Sequence, residues 1–450
     1  MNNYIKYVFF FTLLLCGHSY AQGIITTIAG GGAAGCFCFT GDDGPATDAT
    51  FAHPLDVQVD DSGNLFIADL DNFCIRKVNS AGIITTVAGI GGSFGYNGDG
   101  IPATDAQLHD PFSIAVDHKG NLYIADAGNN RIRKVDTAGI ITTIAGSGIS
   151  GYGGDDSSAV LCKITYPGGV AVDIDGNVYI GDGSNNRIRR VDTSGIITTI
   201  CGTGVAGFSG DSGLATLANI NNPFKIAVDS ARNIYFSDNG NNRVRKINSL
   251  GIITTIAGNG IYGGSGDGGP GINAELNGPE GVSIDYSGNC YIADPQNFRV
   301  RKINSAGIIL NVAGTGVPGF SGDNGPPLLA ELADPTGVAV DTGGNVYISD
   351  QGTNRIRVIR HTVDVPNINN TDNAINIYPN PCKGHSMIRY NSAKEGALSI
   401  AIYDVTGRIV QRAKGTTNQA IAITLDVPAG VYYLSVRSDT DIQTKKLIVE

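Results

Sequence analysis

Residues 176–189 read GNVYIGDGSNNRIR, and this stretch decides the fold because its pattern returns six times along the chain. A second marker, Gly-Ile-Ile, follows the same period. Self-similarity at a fixed period indicates a repeat architecture, in which each copy buries its apolar face against a neighbour. The aspartate that ends the apolar part recurs at steps of 57, 56, 56, 56 and 56 residues: Asp69, Asp126, Asp182, Asp238, Asp294 and Asp350.

One copy, residues 168–202, contains four short runs rich in β-branched and aromatic residues. Turn sequences such as Asp-Gly-Asn and Ser-Asn-Asn separate these runs, which predicts antiparallel strands joined by tight turns. Four strands in about 35 residues, repeated six times with long loops between the copies, predict a β-propeller. The expected strands of this copy are Gly169–Asp173, Val178–Ile180, Arg187–Val191 and Ile196–Ile200.

The ends of the repeat predict how the ring closes. Residues Gly23–Ile28 form a fourth strand with no blade before it, and the last copy, Thr336–Ile359, ends without a fourth strand. First and fourth strands match in number only if the N-terminal strand completes the last blade. Such closure covers both open edges of the array. We therefore expect an all-β chain with a six-bladed propeller.

The repeated residues resemble NHL repeats, which combine Pro-x-Gly-Val-Ala-Val-Asp, Gly-Asn-Val-Tyr-Ile-Ala-Asp and Asn-x-Arg-Ile-Arg. The resemblance covers roughly Gly23 to His361. Two positions depart from the pattern: blade one has Cys74 in place of the first arginine, and blade four has Arg232 in place of the hairpin glycine.

After a linker at 362–373 the period disappears, and residues 374–450 alternate as short strands that predict a small Ig-like β-sandwich. Within it, Ile377-Tyr-Pro-Asn-Pro381, Tyr403-Asp-Val-Thr-Gly407 and Ala429-Gly-Val-Tyr-Tyr433 resemble the type A C-terminal sorting domain of the Bacteroidetes type IX secretion system. The resemblance implies that the secretion machinery is a partner and that the protein is exported, either released or held at the outer face of the outer membrane.

Residues 1–21 predict a secretory signal peptide, with Lys6, an apolar run at 8–15 and a small-x-small cleavage site ending at Ala21. A lipoprotein signal at Cys16 is the alternative, although the large Leu15 fits that processing poorly. The propeller domain would then span 22–361. No other apolar run approaches the ~20 residues that a membrane helix needs, so no membrane-spanning segment is expected. A net charge of −10 argues against nucleic-acid binding, which depends on Lys and Arg.

Seven cysteines follow the predicted signal peptide, so at least one thiol stays unpaired within the chain. Cys201 and Cys290 replace small or apolar residues of the other copies, which predicts that they are core residues. Cys74 could form a disulfide with Cys36 or Cys38 in an oxidising compartment.

Charges that recur in every blade predict a structural role, because a function needs one site and not six. An aspartate closes each first strand, as Asp60 does, and an arginine lies in each third strand, as Arg76 does; we expect these residues to pair between strands and blades. The inter-blade loops repeat Gly-Asp, for example at Asp42 and Asp155. We expect these aspartates to hold turns by accepting backbone N–H groups, with weak calcium binding as the alternative.

A metal-dependent lyase resembling the peptide-amidating propeller enzymes would need about three zinc ligands at the channel. His53 and His109 precede first strands, whereas His118 lies in a hairpin turn and His361 lies beyond the last blade. The sequence therefore predicts no catalytic residues, no metal site and no resident cofactor. A secreted lyase or lactonase-like hydrolase remains the alternative function.

Repeats also show where copies differ. The two residues that open each first strand should surround the channel mouth. Blades three, five and six have glycine at the second of these positions, whereas blades one, two and four have another residue there. A patch of aromatic, charged and polar residues around one pore predicts a recognition surface for a protein or glycan, with drift on a tolerant loop surface as the alternative. The predicted binding residues are His53, Asp56, Gln58, His109, Asp110, Phe112, Phe224, Lys225 and Glu280.

Overall fold

The computed structural model describes residues 23–31, 39–360, 375–378, 382, 385–390, 396–404, 408–425, 427–437 and 442–449. The chain divides into two compact units, residues 1–361 and 362–450. The predicted signal peptide and linker, together with Cys36, Cys38 and His361, lie outside the described residues. Within the described ranges no helix is long and apolar enough to cross a membrane.

Unit 1 contains six antiparallel sheets, each with four full strands in the order predicted from the repeat. The innermost strands are Pro54–Val59, Pro111–Val116, Gly169–Val172, Pro223–Val228, Val282–Ile284 and Pro335–Val340. The second strands are Leu65–Asp69, Leu122–Asp126, Val178–Asp182, Ile234–Asp238, Cys290–Asp294 and Val346–Asp350. The third strands are Cys74–Val78, Arg131–Val135, Arg187–Val191, Arg243–Ile247, Arg299–Ile303 and Arg355–Arg360. The outermost strands are Ile84–Ala88, Ile140–Ala145, Ile196–Cys201, Ile253–Ala257, Ile309–Ala313 and Ile24–Ala29.

Short 3-10 turns make up the helical part of the described chain. One set follows the second strands: Leu70–Asn72, Ala127–Asn129, Gly183–Asn185, Asn239–Asn241, Pro295–Asn297 and Gln351–Thr353. The other set lies in the inter-blade loops: Ala46–Asp48, Ala103–Asp105, Ala159–Leu161, Ala215–Leu217, Gly271–Asn273 and Pro327–Leu329.

The N-terminal strand completes the last blade, as the sequence predicts. Ile24–Ala29 pairs antiparallel with Arg355–Arg360, with Ile24 opposite Arg360 and Ile25 opposite Ile359. Ile25 and Ala29 are fully buried, so this strand also contributes to the core. Apolar side chains of each blade pack against the next blade, including the last against the first, where Val358 and Tyr347 meet Val57 and Ile67. The ring is therefore closed by both hydrogen bonds and hydrophobic packing.

The Gly-Asp loops cover the outer edge of their own blades. Residues Ile101–Pro102 and Ser157–Ser158 add short fifth strands to blades two and three, and single bridges such as Pro45 to Ile83 do the same elsewhere. Asp42 accepts the backbone N–H of Thr86 in the outermost strand at 3.1 Å. Covering an edge in this way blocks pairing with another chain.

The repeated charges pair differently from the sequence-based expectation. Each third-strand arginine is fully buried and pairs with a loop aspartate, and in the first five blades it also pairs with the aspartate that ends the second strand. Arg189 shows the pattern, with Nη2 2.7 Å from Asp155 Oδ1 and Nη1 3.5 Å from Asp182 Oδ2. The first-strand aspartates hold hairpin turns instead: Asp173 accepts the backbone N–H groups of Asp175 and Asn177. The loop carboxylates expected to hold turns, or calcium, thus bind guanidinium groups as well.

Unit 2 is a two-sheet β-sandwich with its own apolar core. Its three-stranded sheet contains Ile375–Tyr378, His385–Tyr390 and Ala420–Thr424. Its four-stranded sheet contains Ala397–Tyr403, Ile409–Thr416, Gly430–Arg437 and Ile442–Val449. His385–Tyr390 was missed by the sequence analysis, although its alternating burial is that of a strand with one face in the core.

Candidate binding site at the channel mouth

The two ends of the central channel differ. At the end where the innermost strands finish, a cavity of about 560 Å³ is lined by strand residues and hairpins from all six blades. Its aspartates are engaged in their own turns; Asp117, for example, accepts the Asn121 side chain at 2.7 Å and the Tyr123 hydroxyl at 3.1 Å. Gln58 lines this cavity, so it does not belong to the mouth where the sequence analysis placed it. A strand advances about 3.3 Å per residue, so Gln58 lies well below Asp56.

The mouth, where the innermost strands begin, is closed by a buried ion pair. Lys225 Nζ of blade four lies 2.8 Å from Asp56 Oδ2 of blade one and donates to the Phe112 carbonyl of blade two at 2.7 Å. Asp56 Oδ2 also accepts the Ser113 hydroxyl at 3.1 Å and the Ile114 N–H at 2.9 Å. Burial lowers the pKa of Lys225, while Asp56 opposes that shift.

This ion pair corrects the expectation that Asp56 and Lys225 offer free charges to a ligand. Both residues are buried, with relative exposures of 2% and 3%, and each satisfies the other. We call this pair the floor of the mouth; neither residue lines the cavity at the opposite end. A ligand at the mouth would contact the residues above this floor.

An aromatic cluster lies above the floor. The rings of Phe112 and Phe224 are 5.4 Å apart in an edge-to-face arrangement, and Tyr166 packs against Phe112 at 5.1 Å. The Tyr166 hydroxyl donates to Asp110 Oδ2 at 3.0 Å. Gly168 makes room for this arrangement, because a Cβ there would lie 3.0 Å from the Phe224 ring. The structure thus brings together Asp110, Phe112 and Phe224 and adds Tyr166, which the sequence analysis missed.

The two predicted histidines lie beside this cluster in separate settings. His53 Nδ1 lies 2.6 Å from Asp71 Oδ2. His109 packs on Phe94, with ring centroids 4.9 Å apart, and Phe94 itself is 59% exposed. Among the described residues, no group of three His, Cys, Asp or Glu side chains is arranged to hold a metal ion.

A left-handed backbone position lies at the rim of the mouth in every blade, as one also does in the turns after the second strands. The residue before the first proline of each innermost segment has a positive φ between 49° and 60° in all six blades. A left-handed conformation costs a residue with a Cβ roughly 1–2 kcal/mol, and less for Asn and Asp. A glycine occupies this position once, and the five other blades carry side chains of varied chemistry. The six rim residues are His53, Asp110, Tyr166, Asn222, Gly278 and Asp334.

Hydrogen bonds from the preceding blade hold most of this rim. The N–H of Tyr166 donates to Asn130 Oδ1, and the N–H of His53 donates to Asn354 Oδ1, both at 2.9 Å. Asn222 and Gly278 make the same bond. The constant spacing of the residue before proline is a sequence signal that could have identified Tyr166, Asn222 and Asp334 as rim residues.

The cysteines do not form the expected disulfide at Cys74. Cys74 is a free, buried thiol, and burial raises its pKa well above the usual range. Cys201 and Cys290 are also buried and free, as expected for small core residues.

Family models match both units of the chain. The NHL repeat matches residues 332–359, and the Teneurin NHL domain matches residues 93–150 and 148–208. The secretion system C-terminal sorting domain matches residues 376–450. The chain is an NHL-repeat β-propeller protein with a C-terminal sorting domain. This NHL protein is exported by the type IX secretion system to the cell surface or beyond it.

Relatives of the NHL propeller occur in animals and plants. Mouse Teneurin-1 is 27% identical over 379 residues, and the match covers 75% of this chain but 13% of the teneurin. Protein SUPPRESSOR OF QUENCHING 1 of Arabidopsis thaliana is 26% identical over 315 residues, covering 66% of this chain and 29% of the plant protein. The chain therefore spans less than a third of the length of each of these relatives.

Two solved structures from Bacteroides thetaiotaomicron share the fold. A structural genomics protein superposes with a TM-score of 0.55 at 23% identity, covering 75% of each chain. An auxiliary nutrient binding protein superposes with the same TM-score at 16% identity, covering 75% of this chain and 76% of the other. At these identities the likeness establishes the fold alone.

Proposed function

We propose that this protein is an exported binding module that holds a carbohydrate at the mouth of its propeller. The observation that carries the proposal is the rim, where five of six left-handed positions keep a side chain although glycine would be unstrained there. Residues held in unfavourable backbone conformations cluster at ligand sites, because the surrounding structure stabilises them for function. Conserved backbone geometry with varied side chains is the pattern of a recognition surface.

The chemistry of the mouth favours a sugar over a flat protein surface. The Asp56–Lys225 pair lies across the channel at this end, and an aromatic cluster lies on one side of the mouth. Aromatic faces pack against the C–H faces of sugar rings, while Asp110, Asn222 and Asp334 offer polar groups around the rim for hydroxyls. A small number of polar groups around an apolar wall is the composition expected of a small-ligand site.

Glycan-array binding tests this proposal. The parent chain is compared with the double variant Phe112→Gly/Phe224→Gly, which removes the aromatic wall. Phe208→Gly is the matched control, because it removes a partly exposed aromatic side chain from an inter-blade loop where blade five already has Gly264. We expect the double variant to lose at least about tenfold in affinity for the glycans that the parent retains, and the control to bind like the parent.

Three outcomes would contradict the proposal. Equal binding by the double variant would mean that the mouth is not the site. If the parent protein bound no glycan, the ligand of the binding module would be a protein and not a carbohydrate. Chemical conversion of a bound glycan by the parent, detected by mass spectrometry, would favour the enzymatic alternative, a lyase or a lactonase-like hydrolase.

A further inference from the structure

One carboxylate oxygen at the mouth lacks a hydrogen-bond partner among the described residues. Glu280 opens the innermost segment of blade five, and its Oε2 is closed from solvent without a hydrogen-bond partner among the described residues. Lys225 is close enough to influence Glu280, but the Lys225 ammonium is already bonded to Asp56 Oδ2 and to the Phe112 carbonyl. Asp334 of the rim adds like charge beside Glu280. The Lys225 ammonium therefore faces two carboxylates, and it forms its ion pair with Asp56 and not with Glu280.

An unpaired carboxylate in this position is costly. A buried polar group without a partner costs roughly 1–3 kcal/mol, and a charged one more. Burial raises the pKa of Glu280 to about 7, an effect that Lys225 partly offsets and Asp334 reinforces. The site therefore gains free energy from any ligand that brings a hydrogen-bond donor and a positive charge to Glu280.

The charges around Glu280 favour a cation. Asp71, Asp110 and Asp334 surround the mouth, and the basic groups that face them are the imidazoles of His53 and His109. Phe112, Phe224 and Tyr166 supply aromatic faces on the same rim. Carboxylates beside aromatic rings suit an ammonium group, which binds the first by charge-assisted hydrogen bonds and the second by cation–π attraction.

We propose that the mouth recognises a sugar that carries a free amino group, with its ammonium bound to Glu280 and its ring against Phe112 and Phe224. This rests on the proposed function and names the ligand class of that same site. Three rotatable side-chain bonds allow Glu280 to present its carboxylate to a group entering from the mouth, since the residue as a whole is only partly buried.

Calorimetry with two matched hexasaccharides tests the inference on the full chain at low ionic strength and near-neutral pH. The probes are the β-1,4-linked glucosamine hexamer, which has free amines, and its fully N-acetylated counterpart. We expect the parent to prefer the amine form by about tenfold or more. Glu280→Gln should reduce this preference to less than about threefold. Glu331→Gln, at a loop position whose carboxylate lies against Gly319, should keep the parent's preference.

The outcomes separate this inference from the proposed function. Equal affinity for the two hexamers, no binding of either, or a preference that survives Glu280→Gln would each overturn the amine assignment. If the parent binds the acetylated hexamer and Phe112→Gly/Phe224→Gly does not, the proposed carbohydrate site stands while the amine assignment fails. If neither hexamer binds, the glycan array still decides the proposed function.

Discussion

Two kinds of buried ion pair occur in this propeller, and they differ in number. Inside every blade an arginine pairs with a loop aspartate, and in the first five blades it pairs with a second aspartate, as Arg189 pairs with Asp155 and Asp182. At the mouth a lysine bridges blades one and four, and this pair of Lys225 with Asp56 has no copy elsewhere in the described ring. Repetition fits a role in the scaffold, whereas a single occurrence at the floor of the mouth fits a role in recognition.

The two kinds of pair also differ in how many carboxylates the cation reaches. Each arginine additionally donates to backbone carbonyls of the loop, as Arg189 donates to the Gly153 carbonyl. The planar guanidinium presents donors in several directions, so one cation can serve two carboxylates. The Lys225 ammonium is bonded to Asp56 and to the Phe112 carbonyl, and no donor of the described residues reaches Glu280 Oε2. Asp155 and Asp182 each have an Arg189 guanidinium nitrogen within 3.5 Å, whereas Glu280 Oε2 has no hydrogen-bond partner among the described residues.

Deleting the N-terminal strand should destabilise the propeller scaffold more than any of the substitutions below. Removal of residues 23–29 exposes the edge of Arg355–Arg360 and takes away the buried Ile25 and Ala29. We expect a loss of more than about 4 kcal/mol in the free energy of unfolding, measured by denaturant titration. Ile24→Thr, at a position 40% exposed, should melt like the parent. A deletion variant that also melts like the parent would contradict the closure of the ring.

A double-mutant cycle should sharpen the comparison at the mouth. Lys225→Met alone leaves Asp56 as an unpaired buried charge, which should cost about 3–5 kcal/mol of unfolding free energy. Adding Asp56→Asn removes that charge, so the double variant should recover most of the loss. Additive losses in the two single variants would show that the pair is not coupled.

Glu280 predicts a smaller, pH-dependent effect. Its folded-state pKa of about 7 lies above the usual value of 4.5, so its stabilising contribution is complete below pH 4.5 and is lost as the pH rises towards 7. Glu280→Gln removes this dependence while the other groups stay the same. The unfolding free energy of the variant should therefore gain on the order of 1–3 kcal/mol relative to the parent between pH 4.5 and 7.5. A difference that is constant with pH would mean that Glu280 is not buried as an unpaired acid.

The period of the sequence predicted what is repeated, because every copy reports the same geometry. The four strands per blade, the ring closure by Ile24–Ala29 and the sorting domain are confirmed. Ion pairs between residues of different blades were not predictable in this way. Lys225 and Asp56 are 169 residues apart by position (225 − 56) and lie in blades that are not neighbours, so only the ring geometry brings them together.

For the same reason the sequence did not predict which carboxylate pairs with each repeated arginine. A carboxylate in the adjacent strand and one in the preceding loop fit the sequence equally well, and the extended arginine side chain reaches the loop residue, as Arg76 reaches Asp42 at 2.7 Å. Tyr166 was overlooked for another reason. Its place before a proline was visible in the sequence, but the left-handed backbone that gives this place its significance is visible only in the structure.

The central claim is that repeated positions hold the fold while the singular residues of the mouth bind the ligand, and one paired measurement tests it directly. Unfolding free energy and affinity for the glycan retained by the parent are measured for Arg189→Lys and for Phe112→Gly/Phe224→Gly. We predict that Arg189→Lys loses stability by about 2 kcal/mol or more and keeps its affinity while folded, because lysine cannot bridge both aspartates. The mouth variant should stay folded and lose at least about tenfold in affinity. A mouth variant that binds like the parent, or a folded Arg189→Lys that loses as much affinity, would contradict the claim.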